Sequence, residues 1–445
     1  MKRILLIFGY ILAGLLAFWL VAELLVRLYL EFPLETRFYS SLPQSEVPER
    51  QGQIGVQVVN GPGWSHLAWI ADPNHETYRI VRQVDGQPQT VGRANYGSFL
   101  LHDPVGSYQV WAVPVDGKPP HMIAEVLTDP TTSEDTIHRP QVAGSWQTLF
   151  MPNQSGSYIN DHTVFQDASS QWRLVGITSL SDGDFNLERY FAVGSSSDFP
   201  PENGMLEEPP LADFGDLAWA PHVIRDRQTY HMFWSPHKLH HMASEDGVTW
   251  QDHQVIMPTP YHRFFRDPMV LQVAEGQWLL YTTARGTYFS QVDIYQSFNL
   301  LEWQYIRTAL RSSWGSERNS PFSSMESPFV LQYEGHYYLS LTYNNDSFFW
   351  PGILMLFRIW PDPASYNETL VFHADNPYDF GVYRGREASS SLVTILEAHA
   401  PEYIFHPEKD HWYITTAGWP WLATLTSGEV AVAPLEWIPY QEGGN

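Results

Sequence analysis

The sequence has 445 residues, of which 44% are apolar and 17% charged, and its formal net charge is −24. The apolar share excludes a mainly disordered protein, the length favours two or three domains, and the acidic excess argues against nucleic acid, whose phosphates require a basic surface. The sequence contains no cysteine, which excludes disulfides, thiolate metal sites and a cysteine nucleophile.

The amino terminus contains an uninterrupted apolar run, ILLIFGYILAGLLAFWLVA, over residues 4–22. At about 1.5 Å of rise per residue, a helix of this length can cross a hydrocarbon core of roughly 30 Å. We therefore predict a single transmembrane helix within residues 1–31, with a cleaved signal peptide as the alternative. Lys2 and Arg3 precede the run, so the bulk of the chain is expected on the extracytoplasmic side of the cell membrane. Residues 32–53 show no clear period and are expected to form a linker.

Residues 54–130 contain short β-type runs separated by turn signals such as DPN, VDG and DPVG. In YQVWAVPV, the side chains of Tyr108, Val110 and Ala112 alternate as in a half-buried strand. With an early Trp, a YxIxR strand and a late YxVxAV strand, the segment resembles a fibronectin type III domain. The resemblance implies a β-sandwich that acts as a spacer or binds a protein partner.

Five similar units follow within residues 140–445. Each has a polar dipeptide, usually followed by Pro, then apolar residues, a short polar turn and an aromatic-rich strand. The units are YINDHTVFQDASSQWRLVGIT from Tyr158, LAWAPHVIRDRQTYHMFWS from Leu217, FFRDPMVLQVAEGQWLLYTTA from Phe264, MESPFVLQYEGHYYLSLTY from Met325 and AHAPEYIFHPEKDHWYITTAG from Ala398. Their spacing, on the order of 50 to 70 residues, predicts a five-bladed β-propeller, so the folded chain is expected to be all-β.

The first strand of each blade lines the central channel of a propeller, so residues at the starts of these strands gather around one axis. Alignment of the units on Pro places the following at one position: Asp161, Ala220, Asp267, Ser327 and Ala400. The position before it holds Asn160, Trp219, Arg266, Glu326 and His399. The carboxylates of Asp161, Asp267 and Glu326 are therefore expected to converge at one mouth of the channel.

These motifs resemble known ones. YINDHTVF, FRDPMV and MESPFV are similar, in order, to the three acidic motifs of glycoside hydrolase family 32, the invertase, inulinase and levanase group. WAPHV is similar to the second-blade motif WAPDV of family 43, the arabinanases and xylosidases. The resemblance covers roughly residues 140–440 and implies a glycosidase. It also implies that Asp161, Asp267 and Glu326 act as nucleophile, transition-state stabiliser and acid/base.

Three positions depart from these families. His162 stands where family 32 has Pro, Ser327 where it has Cys, and His222 where family 43 tends to have Asp. The departures bear on the substrate more than on the fold. They keep open an alternative, a non-catalytic propeller that binds glycans or partner proteins.

Cleavage of a glycosidic bond needs one carboxyl group to protonate the leaving oxygen and another to attack or to activate water. Glu326 would be the acid, and Asp161 the nucleophile of a retaining enzyme or the base of an inverting one. Asp267, oriented by Arg266, would stabilise the positive charge that develops at the anomeric carbon, although a purely structural ion pair is the alternative. The predicted substrate-binding residues are Asn160, Arg266, Trp219, His222 and His399.

The expected substrate is a carbohydrate, a furanosyl glycoside such as a fructoside or an arabinan. The histidines expected near the axis have no Cys partner and no spacing motif, so we predict neither a metal nor a cofactor. The run HKLHH, His237 to His241, falls between strand signals and is expected in a surface turn.

Overall fold

The structure is a computed structural model, and it describes residues 14–18, 55–102, 105–131, 136–153, 157–179, 187–211, 213–257, 264–285, 290–312, 324–344, 366–383, 391–419 and 425–440. The chain divides into two compact units, Met1–Gln53 and Ile54–Asn445. Residues 14–18 are helical, and the rest of the predicted anchor and linker lies outside the described residues. Within the described ranges, no helix is long and apolar enough to cross a membrane.

The described strands between residues 57 and 128 form two antiparallel sheets. The strands are β1 Gln57–Gly61, β2 Trp64–Ala68, β3 His75–Val84, β4 Gln87–Ala94, β5 Ser98–His102, β6 Gly106–Pro114 and β7 His121–Thr128. One sheet has the order β1-β2-β5 and the other the order β4-β3-β6-β7. Leu67 and Leu101 of the first sheet are buried in one cluster with Tyr78, Ile80 and Val110 of the second. The two sheets therefore share a core.

The described strands from residue 138 onward form five sheets, here numbered 1 to 5 in chain order. Strands β8 His138–Val142 and β9 Gln147–Phe150 come first along the chain and belong to sheet 5. Sheet 1 contains β10 His162–Gln166, β11 Trp172–Thr178, β12 Tyr190–Ser196 and β13 Leu206–Leu211. Sheet 2 contains β14 Trp219–Asp226, β15 Thr229–Ser235, β16 Leu239–Ser244 and β17 Gln251–Met257.

Sheet 3 contains β18 Phe264–Ala274, β19 Gln277–Arg285, β20 Ser290–Ser297, β21 Gln304–Ser312 and β25 Gly381–Tyr383. Sheet 4 contains β22 Ser324–Tyr333, β23 His336–Asn344, β24 Glu368–Ala374 and β26 Leu392–Glu397. Sheet 5 contains β27 Tyr403–His406, β28 His411–Thr416 and β29 Val430–Pro439, to which β8 and β9 are added. This nearly all-β arrangement is consistent with the predicted β-propeller.

The first strands of neighbouring sheets lie beside one another, with contacts between β10 and β14, β14 and β18, and β18 and β22. The two ends of the region meet in sheet 5, where β29 pairs antiparallel with β8 and Leu435 lies opposite Val142. The described part of this region therefore begins with β8 at His138.

One backbone deformation recurs where sheets 2 to 5 begin. Ala220, Asp267, Ser327 and Ala400 each precede Pro, and their φ angles are 48°, 56°, 49° and 46°. The strand pairing changes register at this point in sheets 2, 3 and 4. A positive φ is uncommon for a residue other than glycine and costs conformational energy. Its return at four aligned positions indicates that these units share one local structure.

The expectation that HKLHH forms a surface turn was wrong in its second half. Residues 236–238 form a bend, but Leu239 begins β16, and His240 and His241 are buried. Each imidazole pairs with that of another histidine, His241 with His231 at 2.9 Å and His240 with His253 at 3.1 Å. Alternation along the strand places the two pairs on opposite faces of sheet 2.

Candidate active site

The starts of the aligned strands surround one cavity of about 30 Å³. All five repeat units contribute to its wall, with Asp161, Ala220, Asp267, Ser327 and Ala400. These are the residues that the alignment on Pro placed at one position, and the structure brings them together. Glu326 adjoins this group through Arg266 and Ser327, its neighbour in the chain.

Arg266 bridges two of the predicted carboxylates. Its Nε lies 2.8 Å from Oδ2 of Asp267, and its Nη2 lies 2.9 Å from Oε2 of Glu326. All three side chains are largely buried. Two carboxylates this close to each other in a site with little water require a cation, which the guanidinium supplies.

Ser327 connects the other pair of carboxylates. Its hydroxyl donates to Oδ1 of Asp161 at 2.9 Å, and its backbone N–H donates to Oδ2 of Asp267, also at 2.9 Å. The Asp267 backbone is held in turn, because its N–H donates to Oγ of Ser235 at 2.9 Å. The left-handed backbone at Asp267 and Ser327 thus directs both groups into one network.

Burial dominates the protonation of this cluster. It raises the pKa of Asp161 and of Asp267 to about 6, the charge of Glu326 adds to the increase, and Arg266 opposes it. Burial disfavours the charge on Arg266, but the three carboxylates outweigh it and raise the pKa of the guanidinium above its usual value. At neutral pH both aspartates are mainly ionised, and they bind protons as the pH falls through about 6.

His399 and Asn160, two of the predicted substrate-binding residues, lie beside Asp161. Nδ1 of His399 donates to the carbonyl of Tyr366 at 2.9 Å, and its Nε2 lies 3.7 Å from Oδ1 of Asp161. Burial lowers the pKa of His399 to about 4, so the imidazole is neutral at pH 7. Oδ1 of Asn160 is buried without a hydrogen-bond partner among the described residues. Both side chains can therefore offer an acceptor to a sugar hydroxyl.

His222 lies on the cavity wall together with Glu402. Its Nε2 donates to the carbonyl of Val270 at 3.2 Å, and its Nδ1 lies 4.0 Å from Oε1 of Glu402. Burial lowers the pKa of His222 to about 4 and raises the pKa of Glu402 well above its usual value. Sequence reasoning missed Glu402, although it directly follows Pro401 in the fifth unit.

Trp219, predicted as a substrate-binding residue, lies with Glu188 in a second polar cluster. Oε1 of Glu188 accepts hydrogen bonds from the hydroxyl of Tyr158 and, at 3.2 Å, from Nε1 of Trp419, and the Trp219 side chain also interacts with this carboxyl group. Burial raises the pKa of Glu188 to about 7. Sequence reasoning missed this residue because it precedes β12 and belongs to none of the aligned positions.

The comparison with protein families agrees with two of the three acidic motifs. The family model for the glycosyl hydrolases family 32 N-terminal domain matches residues 216–343, which include Arg266, Asp267 and Glu326. The predicted resemblance to the propeller glycoside hydrolases is confirmed. The family 32 match also supports a glycosidase.

Solved structures similar to the chain include a thermostable family-43 glycoside hydrolase, with 16% identity over 66% of this chain and 94% of that chain and a TM-score of 0.46. A family 32 β-fructofuranosidase of Bombyx mori in complex with sucrose has 12% identity over 66% of this chain and 62% of that chain, with a TM-score of 0.46. An α-L-arabinanase of Penicillium chrysogenum complexed with arabinobiose has 13% identity over 65% and 97%, with a TM-score of 0.41. No curated protein matches the sequence.

Proposed function

We propose that the protein hydrolyses furanosyl glycosides, such as fructosides or arabinans, at the cluster of Asp161, Asp267 and Glu326. The observation that carries the proposal is the bridging of these three carboxyl groups by Arg266 and Ser327, with Asp161 and Asp267 on the wall of one cavity. The family 32 match over residues 216–343, which contain Asp267 and Glu326, also supports it. A surface that only binds a ligand has no need of three converging acids.

Asp161 is assigned as the nucleophile, or as the base if the configuration inverts. It is mainly ionised at neutral pH, and the Ser327 hydroxyl orients it. Asp267 is assigned as the stabiliser of the developing positive charge. Its Oδ1 is buried without a hydrogen-bond partner among the described residues, which makes it available to a sugar hydroxyl.

Glu326 is assigned as the acid that protonates the leaving oxygen. Arg266 holds its Oε2, and a guanidinium at 2.9 Å favours the ionised carboxylate, whereas the acid must carry a proton. The assignment therefore requires that bound sugar loosen this ion pair. Because Asp267 is the second partner of Arg266, the guanidinium keeps a counter-charge when Glu326 takes up a proton.

The architecture proposed around this site has five blades, one for each of sheets 1 to 5. The recurring left-handed residue before Pro and the pairing of β29 with β8 support it. The sheet orders β1-β2-β5 and β4-β3-β6-β7 support a fibronectin type III-like sandwich before it, which would act as a spacer or bind a protein partner. The apolar run over residues 4–22 supports a membrane anchor, with the site on the extracytoplasmic side.

The test is sugar release by the full chain from sucrose, inulin, levan, arabinan and aryl furanosides. Glu326→Gln should abolish release, while Glu275→Gln, the same change at an exposed residue of the turn between β18 and β19, should leave it unchanged. The anomeric form of the first product then distinguishes retention from inversion. If the folded wild-type chain releases nothing, or if Glu326→Gln is fully active, a non-catalytic propeller that binds glycans or proteins is the better account.

A further inference from the structure

Three metal-ligating side chains lie together in sheet 4, away from the carboxylate cluster. His336 begins β23, His373 lies near the end of β24, and Asp375 directly follows that strand. The pairing of Tyr338 with His373 and of Tyr337 with Ala374, continued by one step, places His336 opposite Asp375. His373 and Asp375 are two residues apart and share a face of the sheet. The strand pairing therefore brings all three side chains to one face.

This cluster and the cavity lie at opposite ends of the same strands. Glu326 pairs with Thr342 on β23, and Thr342 is six residues from His336. At about 3.3 Å per residue, the two positions are roughly 20 Å apart along the strand. The cluster therefore takes no part in the proposed sugar chemistry.

We propose that Nδ1 of His336, Nε2 of His373 and Oδ1 of Asp375 bind a zinc ion. Nδ1 of His336 lies 3.2 Å from Oδ1 of Asp375, Nε2 of His373 lies 3.6 Å from the same oxygen, and the two nitrogens are 3.2 Å apart. In a tetrahedral zinc site with bonds of about 2.0–2.1 Å, two ligand atoms lie roughly 3.3–3.4 Å apart. The three atoms thus have the spacing of one face of such a tetrahedron.

The chemistry of the donors points to the same class of ion. Two imidazoles and one carboxylate suit zinc and its neighbours in the first transition series, whereas magnesium and calcium prefer oxygen ligands. Hydrogen bonds among the three side chains account for this arrangement less well than a bound cation does. A ring N–H can point at only one of its two neighbours, while a cation at the centre interacts with a lone pair from all three.

The surroundings hold the ligands in place and leave a route for an ion. The side chains of His336 and His373 are 4% and 14% exposed, but that of Asp375 is 60% exposed, so one side of the cluster faces solvent. The carbonyl of Asp375 accepts a hydrogen bond from Nε1 of Trp64 at 2.6 Å. Oδ1 of Asn376 accepts the N–H groups of Tyr378 and Asp379 at 2.9 and 3.0 Å and shapes the following turn.

The bound ion would stabilise the contact between sheet 4 and the first sheet of the sandwich. Trp64 lies on β2, and its ring packs edge-on against Tyr337, the neighbour of His336, and against Tyr378. His66, also on β2, stacks on Tyr378 at 3.9 Å. Zinc is therefore assigned a structural role at this contact, with water completing its coordination.

The test is a zinc titration of the full chain after treatment with EDTA and dialysis. We expect one equivalent of zinc by calorimetry, a higher melting temperature with zinc but not with magnesium, and the visible bands of tetrahedral cobalt when Co²⁺ replaces Zn²⁺. His373→Ala should weaken zinc binding by more than about 100-fold. Loss of a residue that only hydrogen-bonds a metal ligand already costs about 10- to 100-fold in metal affinity. His253→Ala is the matched control, because it removes one imidazole from a histidine pair in sheet 2 and should leave the affinity unchanged.

Asp375→Asn is the second variant, for the case in which His373→Ala does not fold. The Asp375 side chain is mostly exposed, so its substitution should not impair folding. It should lower the zinc affinity by about tenfold or more, because a ligating oxygen loses its charge. The proposal is overturned if the wild-type chain binds no zinc saturably. It is equally overturned if Asp375→Asn binds zinc as tightly as wild type, or if His253→Ala abolishes binding.

Discussion

The hydroxyl of Ser327 donates a hydrogen bond to Oδ1 of Asp161 at 2.9 Å, although Ser327 lies in sheet 4 and Asp161 directly precedes sheet 1. The backbone N–H of Ser327 simultaneously binds Asp267. Ser327 has a φ of 49° and stands where family 32 motifs have Cys. A hydroxyl is a stronger donor than a thiol, so serine suits this hydrogen bond to Asp161.

Ser327→Ala should therefore raise the pKa of Asp161 and leave Asp267 hydrogen-bonded to the backbone N–H of residue 327. The serine hydroxyl lowers the pKa of Asp161, so its removal raises that pKa. A hydrogen bond to a charged group contributes about 1.5–3 kcal/mol, so we expect the acidic limb of kcat/KM to move up by about one pH unit or more. The control is Ser340→Ala, whose hydroxyl pairs with Tyr403. An unchanged limb in Ser327→Ala would contradict the assigned role of Asp161.

The raised pKa of Asp161 also predicts the pH profile of the wild-type protein. This pKa is raised to about 6, chiefly by burial, and a nucleophile or base acts in the ionised form. Activity should therefore rise as the pH rises through about 6, about two units above the limb of an ordinary aspartate. Asp161→Asn should lower kcat by about 10²- to 10⁴-fold at every pH. A wild-type acidic limb near pH 4 would show that another group controls the rate.

The repeat could be predicted from sequence because Pro constrains where a strand begins. Pro lacks an N–H and restricts the residue before it, so Pro268 and Pro328 mark the same place in two units. The pairing of β29 with β8 could not be predicted in this way. Alternation in a strand indicates which side chains face the core, but it does not indicate which distant strand supplies the partner.

The candidate site, too, could be predicted from sequence only in part. Asp161, Asp267 and Glu326 could be proposed together because each opens a repeat unit. The bridging role of Ser327 depends on the left-handed backbone, which its residue type does not favour. No sequence pattern indicates Glu188, because its contacts with Tyr158 and Trp419 join segments that share no motif.

Arg266→Gln should move the pH profile in the same direction as Ser327→Ala and also destabilise the fold. The guanidinium lowers the pKa of Asp161 and of Asp267, so its loss raises both and shifts the acidic limb to higher pH. Removal of one partner from a buried ion pair costs about 3–5 kcal/mol. We expect a lower melting temperature and a larger loss of kcat/KM at pH 6 than at pH 8.

The matched control for Arg266→Gln is Arg173→Gln. Arg173 also bridges two acids, Asp167 at 2.8 Å and Glu208 at 2.6 Å, but it does so outside the cavity. Arg173→Gln should lower the melting temperature without shifting the acidic limb of the pH profile. Equal pH profiles for the two variants would mean that Arg266 acts on the fold alone.

Glu188 gives a prediction about stability and pH. Burial raises its pKa from 4.5 to about 7, so the folded state retains a proton that the unfolded chain releases. The stabilisation is fully present below about pH 4.5 and is lost as the pH rises through about 7, a change of roughly 3 kcal/mol at most. Glu188→Gln keeps an acceptor for Tyr158 and Trp419 but cannot ionise. Urea denaturation at pH 5 and pH 8 should therefore show a smaller fall in the free energy of unfolding for Glu188→Gln than for wild type. Glu275→Gln should behave like wild type, and a Glu188→Gln variant that does the same would show that this carboxyl group does not titrate in that range.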